Sequence, residues 1–270
     1  MNGLVGTVIL LAAASAWAGA ADSGRLKVEL VSATGSLQPG RPLLLGLHFE
    51  LRPHWHIYWR NPGDSGVPPQ VRWRLPPGFQ AGVLQWPAPE RLGSGSVIDY
   101  GYQDSVLLPV ELQTPGNLAA GASVTFAAEV SWVVCSDICV PGKAELTLTL
   151  PVRPAPGERS PSQELFQPAL AHLPKPMPPA WKAEAKEEKD AFVLTILGAG
   201  GADASFFPLQ ADQVDNAAPQ TVTAVPNGLR LTLRKSELLL QVPGSLEGVL
   251  TLGPGRAYAV SAPVRPLPGP

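Results

Sequence analysis

Cys135 and Cys139, the two cysteines of the chain, are the residues whose type and spacing most directly offer covalent chemistry. They lie in Ser131-Trp132-Val133-Val134-Cys135-Ser136-Asp137-Ile138-Cys139-Val140-Pro141-Gly142-Lys143, between two apolar runs that read as strands. On one straight strand, Cα atoms four residues apart stand roughly 13 Å from each other. A disulfide needs about 4.4–6.8 Å. Bonding therefore requires a turn, and Ser136-Asp137 and Pro141-Gly142 supply turn chemistry on either side. A bridge here closes a loop of about five residues, an ideal gain of about 2 kcal/mol against about 4.7 for a 100-residue loop. So short a loop is a poor place for a stabilising staple. Spacing leaves a redox pair and a passive staple equally open, with a pair of metal thiolates as a third reading that lacks the remaining ligands of a zinc site.

Reactivity needs one exposed thiolate. Lys143 would lower the pKa of a nearby thiol, and Asp137, between the cysteines, would raise it while offering a proton relay. Asp137 equally suits an Asx turn. Local charge does not say which cysteine attacks.

A second dense segment is His54-Trp55-His56-Ile57-Tyr58-Trp59-Arg60-Asn61-Pro62-Gly63-Asp64-Ser65-Gly66. His48, His54 and His56 have the same parity, so an unbroken strand would point them to one face, although a bulge at Arg52-Pro53 would spoil that register. Paired imidazoles at His54 and His56 suit copper or zinc, while ordinary half-exposed strand residues are the plainer reading. Trp55, Tyr58 and Trp59 read as core, and Arg60 and Asp64 are close enough to pair across a turn-rich loop. The chain carries no nucleophilic-serine elbow, no phosphate-cradling glycine loop and no HExxH helix.

The elements that must position these groups read as strands. Thirty-one prolines and 27 glycines among 270 residues, with 45% hydrophobic residues and no collagen period, suit short strands and tight turns. Candidate strands are 27–31, 43–49, 70–75, 83–86, 106–112, 124–134 and 144–150. Seven or so strands over residues 22–152 predict an antiparallel sandwich of immunoglobulin-like size. Residues 151–181 hold nine prolines and read as a linker, residues 153–181 lying between the domains. A short helix within it would be capped by Ser160, start at Pro161 and be limited by Pro168. The charged stretch 182–190 leads into a second, smaller β domain, 182–265, with strands at 191–197, 220–225, 229–234, 237–242, 248–252 and 257–262. Pro226-Asn227-Gly228 is a hairpin signal there. The second domain reads as a binding or spacing module, and the fold class is all-β throughout.

Formal net charge is −2, shared equally between the two halves, so neither carries the basic excess that nucleic acid requires. Residues 1–20 read as an export signal: Leu4–Ala20 is free of charge and Ala18-Gly19-Ala20 supplies small residues for cleavage. The n-region lacks Lys and Arg, and a membrane anchor is the other reading of the run. Export places the cysteines in an oxidising compartment.

Trp59-Arg60-Asn61-Pro62-Gly63-Asp64-Ser65-Gly66, Gln85-Trp86-Pro87-Ala88-Pro89, Asp99-Tyr100-Gly101-Tyr102 and Val130–Pro141 together resemble the N-terminal periplasmic domain of DsbD-type thiol:disulfide interchange proteins, in particular the ScsB branch associated with suppression of copper sensitivity. The likeness spans roughly residues 25–152, and the second β domain resembles the extra segment of that branch. The resemblance implies an immunoglobulin-like sandwich with a reversible disulfide in an exposed hairpin and no cofactor. It implies electrons arriving from a membrane-embedded donor domain by way of a thioredoxin-like domain, and leaving to periplasmic thioredoxin-fold proteins through mixed disulfides. Cys135 and Cys139 are then the redox pair, with Cys139 forming the mixed disulfide. The loop Asp99–Tyr102 would cap the disulfide, with Tyr100 the first choice of aromatic and Tyr102 the second. The three residues between these cysteines are fewer than in DsbD itself. Relatives continue into membrane helices and a C-terminal thioredoxin-like domain, and Arg265–Pro270 reads as the start of an inter-domain linker, so the sequence is expected either to be one part of a longer one or to work with a separately encoded membrane protein. A periplasmic copper-binding module and a structural domain with a passive disulfide are the alternative functions.

Overall fold

Alternation of more and less buried side chains builds the longest element, a hairpin of two thirteen-residue strands, β10 (Ser123–Cys135) and β11 (Cys139–Pro151). Phe126, Ala128, Val130, Trp132 and Val134 point inward from β10, as the period of two demands. Gly142 stands opposite Trp132, and a Cβ there would lie 2.4 Å from the indole, so the glycine makes room for that ring. The structure, a computed structural model, describes residues 19–155, 159–201 and 203–267. Residues 1–18 of the expected export signal and the last three residues of the chain lie outside them.

The hairpin belongs to one sheet of a sandwich, ordered β11-β10-β4-β8-β7, with β4 (His56–Gly63), β8 (Val97–Gln103) and β7 (Glu90–Ser94), and with β5 (Gln70–Arg74) alongside β10. The facing sheet runs β1-β2-β3-β9-β6, from β1 (Ala20–Asp22), β2 (Leu26–Ser32), β3 (Leu43–Leu51), β9 (Ser105–Gln113) and β6 (Gln80–Ala81). Every ladder in the two sheets is antiparallel. Their inner faces enclose a core in which Phe49 meets Trp132 and Phe79 meets Phe126 edge to face. This is the expected immunoglobulin-like all-β sandwich.

The segment read as a linker is packed rather than free. Its helix α1 (Gln163–Ala171) buries Phe166 against Val31 and Leu107. Ser160 lies before the cap, its hydroxyl bonding to the carbonyl of Ser32 and accepting from the amide of Ser162. Pro168 sits inside the helix instead of limiting it. It removes one intrahelical hydrogen bond, and the last turn is kept by His172, whose amide donates to the carbonyls of Pro168 and Ala169.

Beyond α1, β12 (Lys175–Pro176), β13 (Lys182–Glu187), β14 (Ala191–Leu197), β15 (Ala204–Pro208), β16 (Thr221–Val225), β17 (Gly228–Arg234), β18 (Ser245–Leu252) and β19 (Ala257–Arg265) form one folded sheet around a second core of Phe192, Leu194, Ile196, Phe206, Leu231 and Leu250. β19 links its halves, pairing antiparallel with β18 and parallel with β13. The charged stretch supplies β13, in which Ala183, Ala185 and Glu187 face inward between exposed Lys182, Glu184 and Lys186. Pro226-Asn227 turns the β16–β17 hairpin, with Asn227 at φ 59°. Residues 83–86 and 237–242 are not strands: Leu84, Trp86, Leu239 and Val242 pack against the cores from irregular segments, while Val83 is 83% and Leu240 100% exposed.

Candidate functional site

The disulfide closes the tip of the long hairpin. Cys135 and Cys139 are direct cross-strand partners, with Cα atoms 4.1 Å apart and an S–S bond of 2.05 Å. Ser136, Asp137 and Ile138 make the turn, closed by the amide of Ser136 donating to the carbonyl of Ile138. The two cysteines differ in access: Cys135 is 1% exposed, whereas Cys139 lies open with Asp137 and Ile138.

Strand register brings the remaining groups to this tip. β4 lies beside the end of β10, pairing His56 with Cys135 and Ile57 with Val134. On its other side β4 pairs Tyr58 with Gly101 of β8. Parity then places Cys135, His56, Tyr58 and Asp99 on one face of the sheet. The hydroxyl of Tyr58 donates to Sγ of Cys135 at 2.7 Å and lies 3.6 Å from Sγ of Cys139. Burial pushes the Tyr58 phenol above its ordinary pKa, and the charge of Asp99 adds to this, outweighing the contact with Ser65. Tyr58 therefore stays a proton-bearing donor at neutral pH.

The rest of the segment folds over that ring. Between Tyr58 and Gly63 the β4–β8 ladder breaks into a bulge, and the end of β4 with the loop that follows it, residues 61–66, returns across the tyrosine. Gly66, at φ 73°, rests on the ring so closely that a Cβ would lie 2.0 Å from Cζ of Tyr58. Asp99 fastens the loop by accepting from the amide and the hydroxyl of Ser65, both at 3.0 Å. Its carboxylate also stands 3.6 Å from Nε2 of His56, whose ring meets Tyr58 edge to face.

The expected aromatic cap lies elsewhere. Tyr100 and Tyr102 alternate with Asp99 and Gly101 along β8, so both point into the core instead of toward the sulfurs. The hydroxyl of Tyr100 donates to Asn216 at 2.8 Å and that of Tyr102 to the carbonyl of Pro87 at 2.7 Å. Burial raises both phenols. The aromatic at the disulfide is Tyr58.

Lys143 does not serve the thiols. It pairs with Glu129 at 3.1 Å and lies four positions along β11 from Cys139, roughly 13 Å at an extended rise. Arg60 is exposed, and the partners of Asp64 are Ile98 and Asn216 rather than Arg60. The three histidines part company because the chain changes sheets at Arg52–Trp55, with His54 at φ 71°. His48 stays in β3, bridging Glu29 and Ser105 at 2.9 Å each, and His54 is exposed in the turn. His56 alone reaches the disulfide end of the sheet. Among the described residues no group of three or more His, Cys, Asp or Glu is arranged to hold a metal ion.

An immunoglobulin-like sandwich that carries a cross-strand disulfide at an exposed hairpin tip, beside a buried tyrosine donor, has the arrangement a thiol:disulfide interchange domain needs. Residues 26–151 match the family described as thiol:disulfide interchange protein DsbD, N-terminal, and the first domain belongs to that family. Among solved structures, the N-terminal periplasmic domain of ScsB from Proteus mirabilis is similar over both domains. It has 18% identity and a TM-score of 0.69, and the match covers 91% of this chain and 97% of that one. The chaperones YadV (9% identity, TM-score 0.22, 87% and 98% covered) and SfaE (10%, 0.22, 88% and 99%) are far weaker likenesses and bear on nothing here. No curated protein matches the chain. Among the described residues no helix is long and apolar enough to cross a membrane.

Proposed function

We propose that this protein is a periplasmic disulfide-exchange relay that passes electron pairs to thioredoxin-fold proteins through Cys139, with Cys135 as the resolving sulfur. The observation that carries this reading is the asymmetry of the pair: an open Cys139 and a buried Cys135 that accepts the Tyr58 hydrogen bond.

In the reduced protein the Cys139 thiolate attacks a sulfur of the partner's disulfide, forming a mixed disulfide and releasing the partner's other sulfur as thiolate. The Cys135 thiolate then attacks Sγ of Cys139. The Cys135–Cys139 bond forms, the intermolecular bond breaks, and the partner leaves as a dithiol with two electrons and two protons gained. Recharging is the reverse, with a donor thiolate attacking Cys139 and Cys135 leaving. Cys135 is the thiolate of this step in both directions, giving up its charge as it attacks and gaining it as it leaves during recharging, and the Tyr58 hydroxyl stabilises that thiolate by a charge-assisted hydrogen bond. Asp99 and Ser65 act through Tyr58 by holding the loop that covers it. A membrane-embedded DsbD- or ScsB-type donor fits the recharging half, and export by residues 1–20 fits the compartment.

The test uses a thioredoxin-fold protein that retains only its exposed cysteine, activated as a mixed disulfide with thionitrobenzoate. Reduced Cys135→Ala is expected to release the yellow anion stoichiometrically and accumulate a stable heterodimer. Cys139→Ala is expected to do so far more slowly. Equal capture by both variants, or by neither, would overturn the assignment.

A further inference from the structure

We infer that the second domain is a clamp on the redox site, and that Asn216 is a positioning residue which sets the contact between Tyr58 and Cys135; this rests on the exchange chemistry proposed above. Asn216 belongs to the loop between β15 and β16 and is 8% exposed, yet its partners lie in the first domain. Its Nδ2 donates to Oδ1 of Asp64 at 2.7 Å, its Oδ1 accepts from the hydroxyl of Tyr100 at 2.8 Å, and its carbonyl accepts from Arg91. The other oxygen of Asp64 accepts from the amide of Ile98 at 2.7 Å, so this one carboxylate ties β8 and the second domain to the loop over Tyr58.

Asn216 is itself held from behind. Asp215 accepts from the amides of Ala217 and Ala218, and its own amide donates to the carbonyl of Arg234 at the end of β17. A second pair of contacts fixes the same loop at its start. Nδ2 of Asn61, 3% exposed, donates to the carbonyl of Pro208 at 2.8 Å, and Phe207 packs edge-on against both Trp59 and Tyr100. A continuous set of contacts thus runs from β17 through Asp215, the buried Asn216 and the more exposed Asp64 to Ser65 and Gly66, which lie on the Tyr58 ring. A spacer would need none of these bonds. Buried polar groups matched across a domain boundary are costly to separate, so the two domains hold one geometry at the disulfide.

Spatial continuity alone does not demonstrate coupling, and a double-mutant cycle does. In the full chain, Asn216→Asp keeps the acceptor for Tyr100 and replaces the donor facing Asp64 by a like charge. Reduction of the disulfide by dithiothreitol and its equilibrium with glutathione are measured for wild type, Asn216→Asp, Tyr58→Phe and the double variant. Asn216→Asp is expected to slow reduction by roughly five-fold or more and to move the equilibrium toward the disulfide by a similar factor, about 20 mV for this two-electron couple. In the Tyr58→Phe background the same substitution is expected to change neither. Leu240→Ser, on a fully exposed residue of the second domain, should match wild type. No effect of Asn216→Asp, or an equal effect with and without the Tyr58 hydroxyl, would overturn the inference. Should Asn216→Asp lower the melting temperature into the assay range, Asn216→Ser is read in the same cycle under the same criteria. Neither reagent is a protein, so loss of partner exchange would count against the relay and leave this result standing.

Discussion

The Tyr58 hydroxyl lies 2.7 Å from Sγ of Cys135, and its own pKa is raised by burial and by the charge of Asp99. A phenol that holds its proton beside a sulfur favours the thiolate over the disulfide at that sulfur. Tyr58→Phe should therefore raise the Cys135 thiol pKa and make the pair harder to reduce. A hydrogen bond to a charged group contributes about 1.5–3 kcal/mol, which corresponds to about 30–60 mV toward more negative potential for two electrons. The full shift is expected at a pH where Cys135 is ionised. A glutathione titration of the variant checks it.

The two thiols should alkylate at different rates in the reduced protein. Cys139 is open and Cys135 is 1% exposed, so iodoacetamide should label Cys139 first, by a factor of at least about ten in rate. Mass spectrometry of peptides from a time course reads the order directly. Access, as well as thiolate content, governs such reactions.

Gly66 should tolerate no side chain. Its φ of 73° and the 2.0 Å approach of a built Cβ to Tyr58 together mean that Gly66→Ala must move the ring or the loop. Overpacking of this kind costs about 1–3 kcal/mol. Thermal unfolding should show that loss, and reduction by dithiothreitol should slow because the hydroxyl leaves Cys135.

The Glu29–His48 pair should contribute to acid sensitivity. Burial pushes the Glu29 carboxyl up, but hydrogen bonds from His48 and Lys27 outweigh it and hold the pKa below the ordinary value. A carboxyl depressed by folding contributes stability above its unfolded pKa, and that stability is lost as pH falls through the folded value. Glu29→Gln should therefore flatten the acid limb of the melting profile below about pH 4.5. The pair is part-exposed, so the effect should stay below about 1 kcal/mol.

Much of the fold was legible because it rests on local alternation. Val124–Val134 and Ala144–Leu150 announce β10 and β11, and a turn between them brings Cys135 and Cys139 together whichever family they belong to. The site beyond the cysteines was not legible, because it depends on register between strands far apart in sequence. Tyr58 looks like core from its neighbours, and only the pairing of His56 with Cys135 turns it toward the sulfur. Tyr100 was expected to cap the disulfide from its place in a motif, yet its parity opposite to Asp99 sends it inward. The apolar run of residues 237–242 resembles a strand but pairs with none, packing Leu239 and Val242 on the core and leaving Leu240 exposed. Asn216 carries no local signal at all, and its importance follows from a domain contact 152 residues distant from Asp64.

The most direct measurement is an equilibrium redox titration of Cys135–Cys139 in the full chain against glutathione, followed by quenching with an alkylating reagent. A relay predicts a reversible transition with a midpoint above about −300 mV, within reach of thioredoxin-fold partners. A pair that stays oxidised down to potentials below about −300 mV, the range of structural disulfides, would contradict it.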